Sequence, residues 1–354
     1  MYYTSLLQPY SPLGLKNSVV MAPMTTCHAD NNQVPTKKMV QIYTDRASVG
    51  LLIAEATCIS DSANAYPNTP GIYTQQQVDA WQEVTKKVHD QGGKIFLQIW
   101  HAGPMGHSAY RNGKLPLSPS GIKPLKDIVP RSNGQLRYEQ PKEMDESDIA
   151  EVKKDFVEAA RKAKQAGFDG IELHGASGYL LDAFLHHSTN KRQDSYGKTP
   201  KNMSRFMLET IREIQNAVSD MPVAVRICPV PLPSMGNMSD DPKDKEVFTY
   251  LLKKLNTLPI AYVNACSDND ATDTGTLGMR VSEFVRKHYT GTVIAGGSYG
   301  IDEAERALKE KKFSLIYWGR LLLANPNLVS RLESGDTNNL TPFTRETIAN
   351  PNNN

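Results

Sequence analysis

Short, almost wholly apolar runs alternate along the chain with longer stretches in which apolar residues recur every three to four positions. Val19 to Met21 is the first such run, closed by Ala22-Pro23 and followed by the polar loop TTCHADNNQVPT. A helical period from about 36 to 48 leads through Gly50 into LLIAEA, a run of the kind that a parallel sheet buries on both faces. The unit then repeats. Helices over 75–90, 147–166, 203–219, 243–256, 280–288 and 301–310 precede the runs KIFLQIW, FDGIEL, PVAVRI, AYVNA, TVIAGG and FSLIYWGR. A last helix over 325–335 closes the series, and the Asn-rich end NPNNN is expected to fray. Eight strands alternating with helices predict an α/β fold, a parallel (β/α)8 TIM barrel. An open doubly wound sheet would also alternate, but it usually carries a Gly-rich dinucleotide turn after its first strand, and none is present.

Boundary signals support these elements. Asp302 precedes EAERAL and Ser147 precedes DIAEV as expected N-caps, and Gly167 follows a last helical turn. Residues 1–340 are expected to form one barrel domain, with 341–354 as a tail. One connection is oversized: residues 101–146, carrying LPLSPSGIKPL and VPRSNGQLRYEQP, form an insertion after the third strand, on the face where such loops serve as lids or specificity elements.

Composition narrows the partners. The 40 basic and 38 acidic residues are interspersed, so no basic stripe argues for nucleic acid and no basic amphipathic helix for a membrane. A small-molecule substrate is the expected partner, and self-association into a homo-oligomer stays open. Cys27, Cys58, Cys228 and Cys266 lack CxxC spacing, which points to a reducing cytoplasm rather than a disulfide framework or zinc site. No apolar run reaches the roughly 18 residues of a membrane span, and MYYTSLLQPY lacks the regions of a signal peptide.

The carboxyl ends of the strands, where active sites of this fold form, carry Met24-Thr25, Glu55-Ala56, Gln98, His174, Arg226, Gly296-Gly297-Ser298 and Gly319-Arg320. This set holds no paired carboxylates for glycoside chemistry, no metal cluster and no Schiff-base lysine. It suits a bound ligand: Gln98 donates and accepts, Arg226 offers a fixed fork, and glycines after strands seven and eight can turn amides toward a phosphate. His174 is expected as the first residue out of the fourth strand's carboxyl end and Tyr179 as the opening of the next helix, so both tips aim at one spot. Taken singly, each has a blander reading: Gln98 as a buried amide, Arg226 as partner of a barrel carboxylate, Tyr179 as a helix-capping aromatic. His101, His107, His186 and His187 read as structural or solvated.

The series VVMAPMTT, LLIAEAT, LQIWHAGPMG, HGASGYLLDAFL, STNKRQDSYG, VRICP, IAGGSYG and YWGRLLLANPNL resembles, in order and from about residue 6 to 335, the signature of the old yellow enzyme family of FMN-dependent NADH:flavin oxidoreductases. The resemblance implies a flavoprotein with FMN as cofactor and NADH or NADPH as hydride donor. It places Met24 and Thr25 near the reactive edge of the flavin, Ala56 as a backbone contact to the ring, and Gln98 with Arg226 at the pyrimidine end. Gly296, Gly297, Ser298, Gly319 and Arg320 fall around the phosphate. His174 would hold the substrate's carbonyl oxygen, Tyr179 would donate a proton to the alkene carbon, and Ser177 and Cys27 would line the substrate side.

Departures concentrate on that side. Ser177 stands where the family usually has a second His or an Asn, Thr26 where many relatives carry Arg, Pro104 where HAGR is common, and Lys198 at the second glycine of YGG. The expected activity is therefore that of an ene-reductase with a weakened anion clamp. Two rivals remain at this point: a flavin-binding barrel with weak or no ene-reductase activity, and a flavin-free barrel enzyme acting on a phosphorylated metabolite.

Overall fold

A computed structural model describes residues 3–132, 134–271, 275–344 and 346–347. The Asn-rich end, 350–354, lies outside the described residues. Eight parallel strands close into a barrel: β1 (Val19–Met21), β2 (Leu51–Cys58), β3 (Ile95–Trp100), β4 (Gly170–Gly175), β5 (Val223–Ile227), β6 (Ile260–Ala265), β7 (Val293–Ala295) and β8 (Leu315–Trp318). Each pairs with the next in sequence, and β8 returns to β1, with Val19 opposite Ile316 and Met21 opposite Trp318.

Period-two alternation sorts the strand residues into two populations. Val20, Leu51, Ile53, Phe96, Ile294 and Leu315 fill the barrel interior as one cluster, while Val19, Met21, Leu52 and Ala54 pack outward in the larger core shared with the helices. A helix supplies the other side of that core with residues three or four apart. Ile149, Val152 and Phe156 of helix Glu146–Gln165 are fully or almost fully buried, each contributing ~1.5–3 kcal/mol of transfer free energy.

Several boundaries differ from the sequence expectation for identifiable reasons. Helix Glu146–Gln165 is capped by Asp145, which forms a reciprocal capping box with Asp148; Ser147 lies in the first turn and donates its hydroxyl to Asp145. Asp302 likewise lies inside helix Ile301–Lys309, whose N-cap is Gly300. The helix expected over 325–335 is the shorter Leu328–Ser334; a separate helix, Arg320–Ala324, precedes it and stops at Asn325, whose side-chain amide accepts from Thr341 N–H and donates to Thr341 O. His174 stands within the last turn of the pleat rather than beyond it, because β4 continues to Gly175. Gly167, at φ 84°, ends its helix in the left-handed conformation as anticipated.

The insertion over 101–146 folds onto the carboxyl end of the barrel. It contains two short 3-10 turns and a parallel pair of two-residue strands, Leu117–Ser118 with Lys142–Glu143. Backbone bonds tie it down: Leu180 N–H to His101 O at 3.1 Å and Leu125 N–H to Asn237 O at 2.9 Å.

Candidate active site

A buried polar layer sits above the apolar plug of the barrel. Gln98 Nε2 donates to Glu172 Oε1 at 2.7 Å, Asn264 Nδ2 donates to Glu172 Oε2 at 2.9 Å, and Arg226 Nη1 donates to Asn264 Oδ1 at 3.1 Å. The guanidinium lies over the Tyr317 ring, 4.8 Å from its centroid. Burial pushes the Glu172 carboxyl up, although Arg226 and the two amides act in the opposite direction. Gln98 and Arg226 are thus both locked, one by a carboxylate and one through an amide, leaving their remaining polar atoms for a ligand. Glu172 and Asn264 were not picked out from the sequence; the available signal was a polar residue inside each apolar run, FDGIEL and AYVNA.

The β4 loop carries the other half of the site. Tyr179 is the N-cap of helix Leu180–Ala183, and its hydroxyl lies 3.0 Å from that of Tyr66. Its ring packs edge-on against Trp100 at 4.5 Å and His174 at 4.7 Å. His174 Nδ1 is buried and has no hydrogen-bond partner in the structure. Burial, reinforced by Arg226, holds the imidazole well below its ordinary pKa, so it is neutral at physiological pH. Burial likewise pushes the Tyr179 phenol well above 10, so it keeps its proton.

Between them, Ser177 adopts φ 65° and its carbonyl accepts from Asn237 Nδ2 at 2.8 Å. The next residue has to be glycine: at φ 78°, a Cβ on Gly178 would stand 1.7 Å from Asn237 Nδ2. Gly178 N–H donates to Asp182 Oδ2 at 2.8 Å, and Asp182 is one arm of a buried ion network. His186 bridges Asp182 Oδ1 at 3.2 Å and Asp244 Oδ2 at 2.7 Å, and His187 Nδ1 reaches Asp244 Oδ1 at 2.8 Å. The loop bearing Tyr179 is therefore fixed from two directions.

Loops after β1 and β2 form the opposite wall. The register of β2 against β3 shifts between Ala54 and Thr57, a bulge that takes Glu55 and Ala56 out of the regular ladder. Glu55 accepts from Thr26 N–H at 2.9 Å and Thr26 hydroxyl at 2.6 Å, which fixes the turn holding Met24, Thr25 and Cys27. Arg131 reaches in from the insertion: it donates to Thr25 O at 2.7 Å and Cys27 Sγ at 2.6 Å and lies 5.8 Å from the Tyr66 ring centroid. Burial pushes the Cys27 thiol up, so it stays protonated. Tyr66 and Arg131, both on aperiodic loops, were not foreseen.

The glycine loops meet on a third side. Gly297 has φ 110°, and a Cβ there would stand 2.7 Å from Ser267 O; one on Gly319 would stand 2.4 Å from Met24 Sδ. Ser298 follows at φ 63°, with its hydroxyl on Asp268 O at 3.1 Å. Trp318 Nε1 donates to Tyr299 O at 3.0 Å, and the Tyr299 hydroxyl donates to Asp270 Oδ2 at 3.0 Å, so the loop after β7 is held between the end of β8 and the loop after β6. Arg320 is exposed beside them.

This donor set fits FMN. Its chemistry includes a locked cation and amide, a bulged backbone, glycines that leave room for an anion near an arginine, and a buried imidazole nitrogen without a partner. Among the described residues no cluster of His, Cys, Asp and Glu could hold a metal, and no helix is long and apolar enough to cross a membrane.

Comparison with known proteins agrees. Residues 9–339 match the NADH:flavin oxidoreductase / NADH oxidase family. The chain is 38% identical over 335 residues to 12-oxophytodienoate reductase 1 of Oryza sativa subsp. japonica, covering 93% of this chain and 86% of that protein. It is 37% identical over 327 residues to a probable flavin mononucleotide-dependent alkene reductase of Leishmania infantum, covering 91% and 87%. The structure superposes on the old yellow enzyme homologue of Zymomonas mobilis with a TM-score of 0.89 at 33% identity, over 97% and 96% of the two chains. Such coverage decides against a flavin-free barrel, and the chain belongs to the old yellow enzyme family of FMN-dependent NADH:flavin oxidoreductases.

Proposed function

We propose that this oxidoreductase reduces the electron-poor alkene of α,β-unsaturated carbonyl compounds, with NADH or NADPH as hydride donor. The observation that carries the reading is the placement of Tyr179, its hydroxyl 3.0 Å from Tyr66 and its ring 4.7 Å from a neutral imidazole that has a buried, unpartnered nitrogen.

Bound FMN would supply the hydride chemistry between the nicotinamide and the substrate's β carbon; the remaining tasks fall to side chains. His174 donates to the carbonyl oxygen, where negative charge develops, and a preorganised neutral donor gains most there. Tyr179 delivers its proton to the α carbon as general acid, and Tyr66 fixes its rotamer and offers a hydroxyl through which the proton can be replaced. Trp100 backs both rings and excludes water. Gln98 and Arg226 would hold the pyrimidine end of the flavin, Met24, Thr25 and Ala56 its ring, and Gly296, Gly297, Ser298, Gly319 and Arg320 its phosphate. His174 works without a second side-chain donor: Ser177 has replaced it, and the Asn237 amide is spent on Ser177 O and, at 3.3 Å, Met105 Sδ. The four cysteines are free thiols, which supports a reducing, cytoplasmic setting.

Anaerobic stopped-flow mixing tests the reading. The yellow holoenzyme should bleach with NADH or NADPH and regain its colour with a panel of enones; bleaching without recolouring by any of them would leave only a flavin-binding barrel without ene-reductase activity.

A further inference from the structure

The two thiols beside Arg226 have no part in the reaction just described. Cys228 directly follows β5 and Cys266 directly follows β6; both are buried and, with Ala176, form a small cluster of their own. Ile227 and Ala265 are register partners, and Cys266 N–H donates to Ile227 O at 2.9 Å, so the thiols sit side by side across the end of the ladder. A buried free cysteine usually acts as a small hydrophobe. Cys266 does more: its Sγ accepts from Arg226 Nη2 at 3.0 Å.

That contact matters because of how the guanidinium is held. The Tyr317 ring lies 4.8 Å from its central carbon, and a cation–ring contact of this kind does little to resist in-plane rotation. Rotation is stopped by the two acceptors, Asn264 Oδ1 on Nη1 and Cys266 Sγ on Nη2. Cys228 backs the second: its thiol donates to Val230 O at 2.8 Å and touches Cys266. The contact with Cys228 and the charge of Arg226 hold the Cys266 thiol below its ordinary pKa against the opposing effect of burial.

We infer that Cys266 is a positioning residue for Arg226: its sulfur, backed by Cys228, holds the guanidinium in the orientation in which it meets the pyrimidine end of FMN and favours the reduced cofactor over the oxidised one. The inference rests on the assignment of Arg226 to that end of the flavin.

The test is the midpoint potential of FMN in the holoenzyme, measured against a reference dye for the wild type, Cys266→Ala, Cys266→Ser and Arg226→Lys, with thermal unfolding recorded for each. Cys266→Ala should lower the ratio of affinities for reduced and oxidised FMN by about tenfold, a fall of about 30 mV for a two-electron couple. Cys266→Ser, which keeps an acceptor, should recover most of it, and Arg226→Lys should shift the potential in the same direction as Cys266→Ala. If Cys266→Ala loads FMN poorly, Cys266→Val supplies the same loss of acceptor with a filled cavity. A wild-type potential in the apolar variants beside a lowered one in Arg226→Lys overturns the inference and keeps the Arg226 assignment. Wild-type potentials in all variants overturn the assignment itself. A serine variant as displaced as the alanine, or a loss of thermal stability alone, assigns Cys266 to packing and also overturns the inference.

Discussion

The ion network under the β4 loop makes a quantitative prediction. His186 is fully buried between Asp182 and Asp244. Burial alone would favour the neutral ring, but the two carboxylates outweigh it and raise the imidazolium from 6.5 to about 10. A shift of that size corresponds to ~5 kcal/mol, and removing one member of a buried ion pair costs about 3–5 kcal/mol. Replacing His186 with Gln leaves two buried carboxylates facing each other and should therefore destabilise the protein by ~3–5 kcal/mol at neutral pH. The sign with pH follows from the raised value: the folded state holds the proton more tightly, so the stabilisation is complete below 6.5 and is lost as pH rises toward about 10. Asp244, held below its ordinary value of 3.8 by His186 and the His187 contacts against the opposing effect of burial, adds stability that disappears only as pH falls through that lower range. Urea unfolding of wild type and His186→Gln from pH 5 to 10 should show a gap that is widest below pH 6.5 and narrows steadily above it. A gap under ~1 kcal/mol, the scale of an exposed ion pair, or one that is constant with pH, would refute the buried-imidazolium account.

Other consequences concern the substrate wall. Ser177→Asn places a longer donor at φ 65°, a conformation Asn tolerates better than most residues; binding of para-substituted phenols, read from the charge-transfer band, should tighten about 2- to 12-fold, the equivalent of 0.5–1.5 kcal/mol for one neutral hydrogen bond. Unchanged titrations would mean that position 177 does not face the ligand. Gly178→Ala cannot be accommodated without moving Asn237; KM for enones should rise several-fold while the affinity for FMN stays at the wild-type level, and equal losses in both would contradict the separation of the two walls.

Much of this architecture is legible in the chain, and the exceptions have causes. Barrel strands announce themselves because both faces are buried, so LLIAEA and KIFLQIW are apolar almost throughout. His174 and Tyr179 are visible because an apolar run stops on a polar residue just where the fold puts its chemistry. Glu172 and Asn264 escaped notice because one polar residue inside an apolar run reads as a blemish; their meaning depends on partners 74 and 92 residues away. Tyr66 and Arg131 stand on loops with no period to project from, and their approach to Tyr179 and Thr25 is tertiary. Asp145 took the N-cap expected of Ser147 because it alone pairs with a residue three positions into the helix that can reach back, Asp148. The sequence marks the histidine pair at 186 and 187 only as structural or solvated, because the carboxylates that make His186 a buried cation are Asp182, four residues back in the preceding short helix, and Asp244, 58 residues on.

Tyr179→Phe tests the central claim most directly. The substitution keeps the ring against Trp100 and His174 and removes only the hydroxyl 3.0 Å from Tyr66. In anaerobic stopped-flow experiments on the two halves of the reaction, flavin reduction by NADH or NADPH should stay within about twofold of wild type, while reoxidation by an enone should slow by about 10²- to 10⁴-fold, the usual range for a positioned general acid. Equal slowing of both halves, or an enone half-reaction that keeps its speed, would contradict the assignment of Tyr179 as the proton donor.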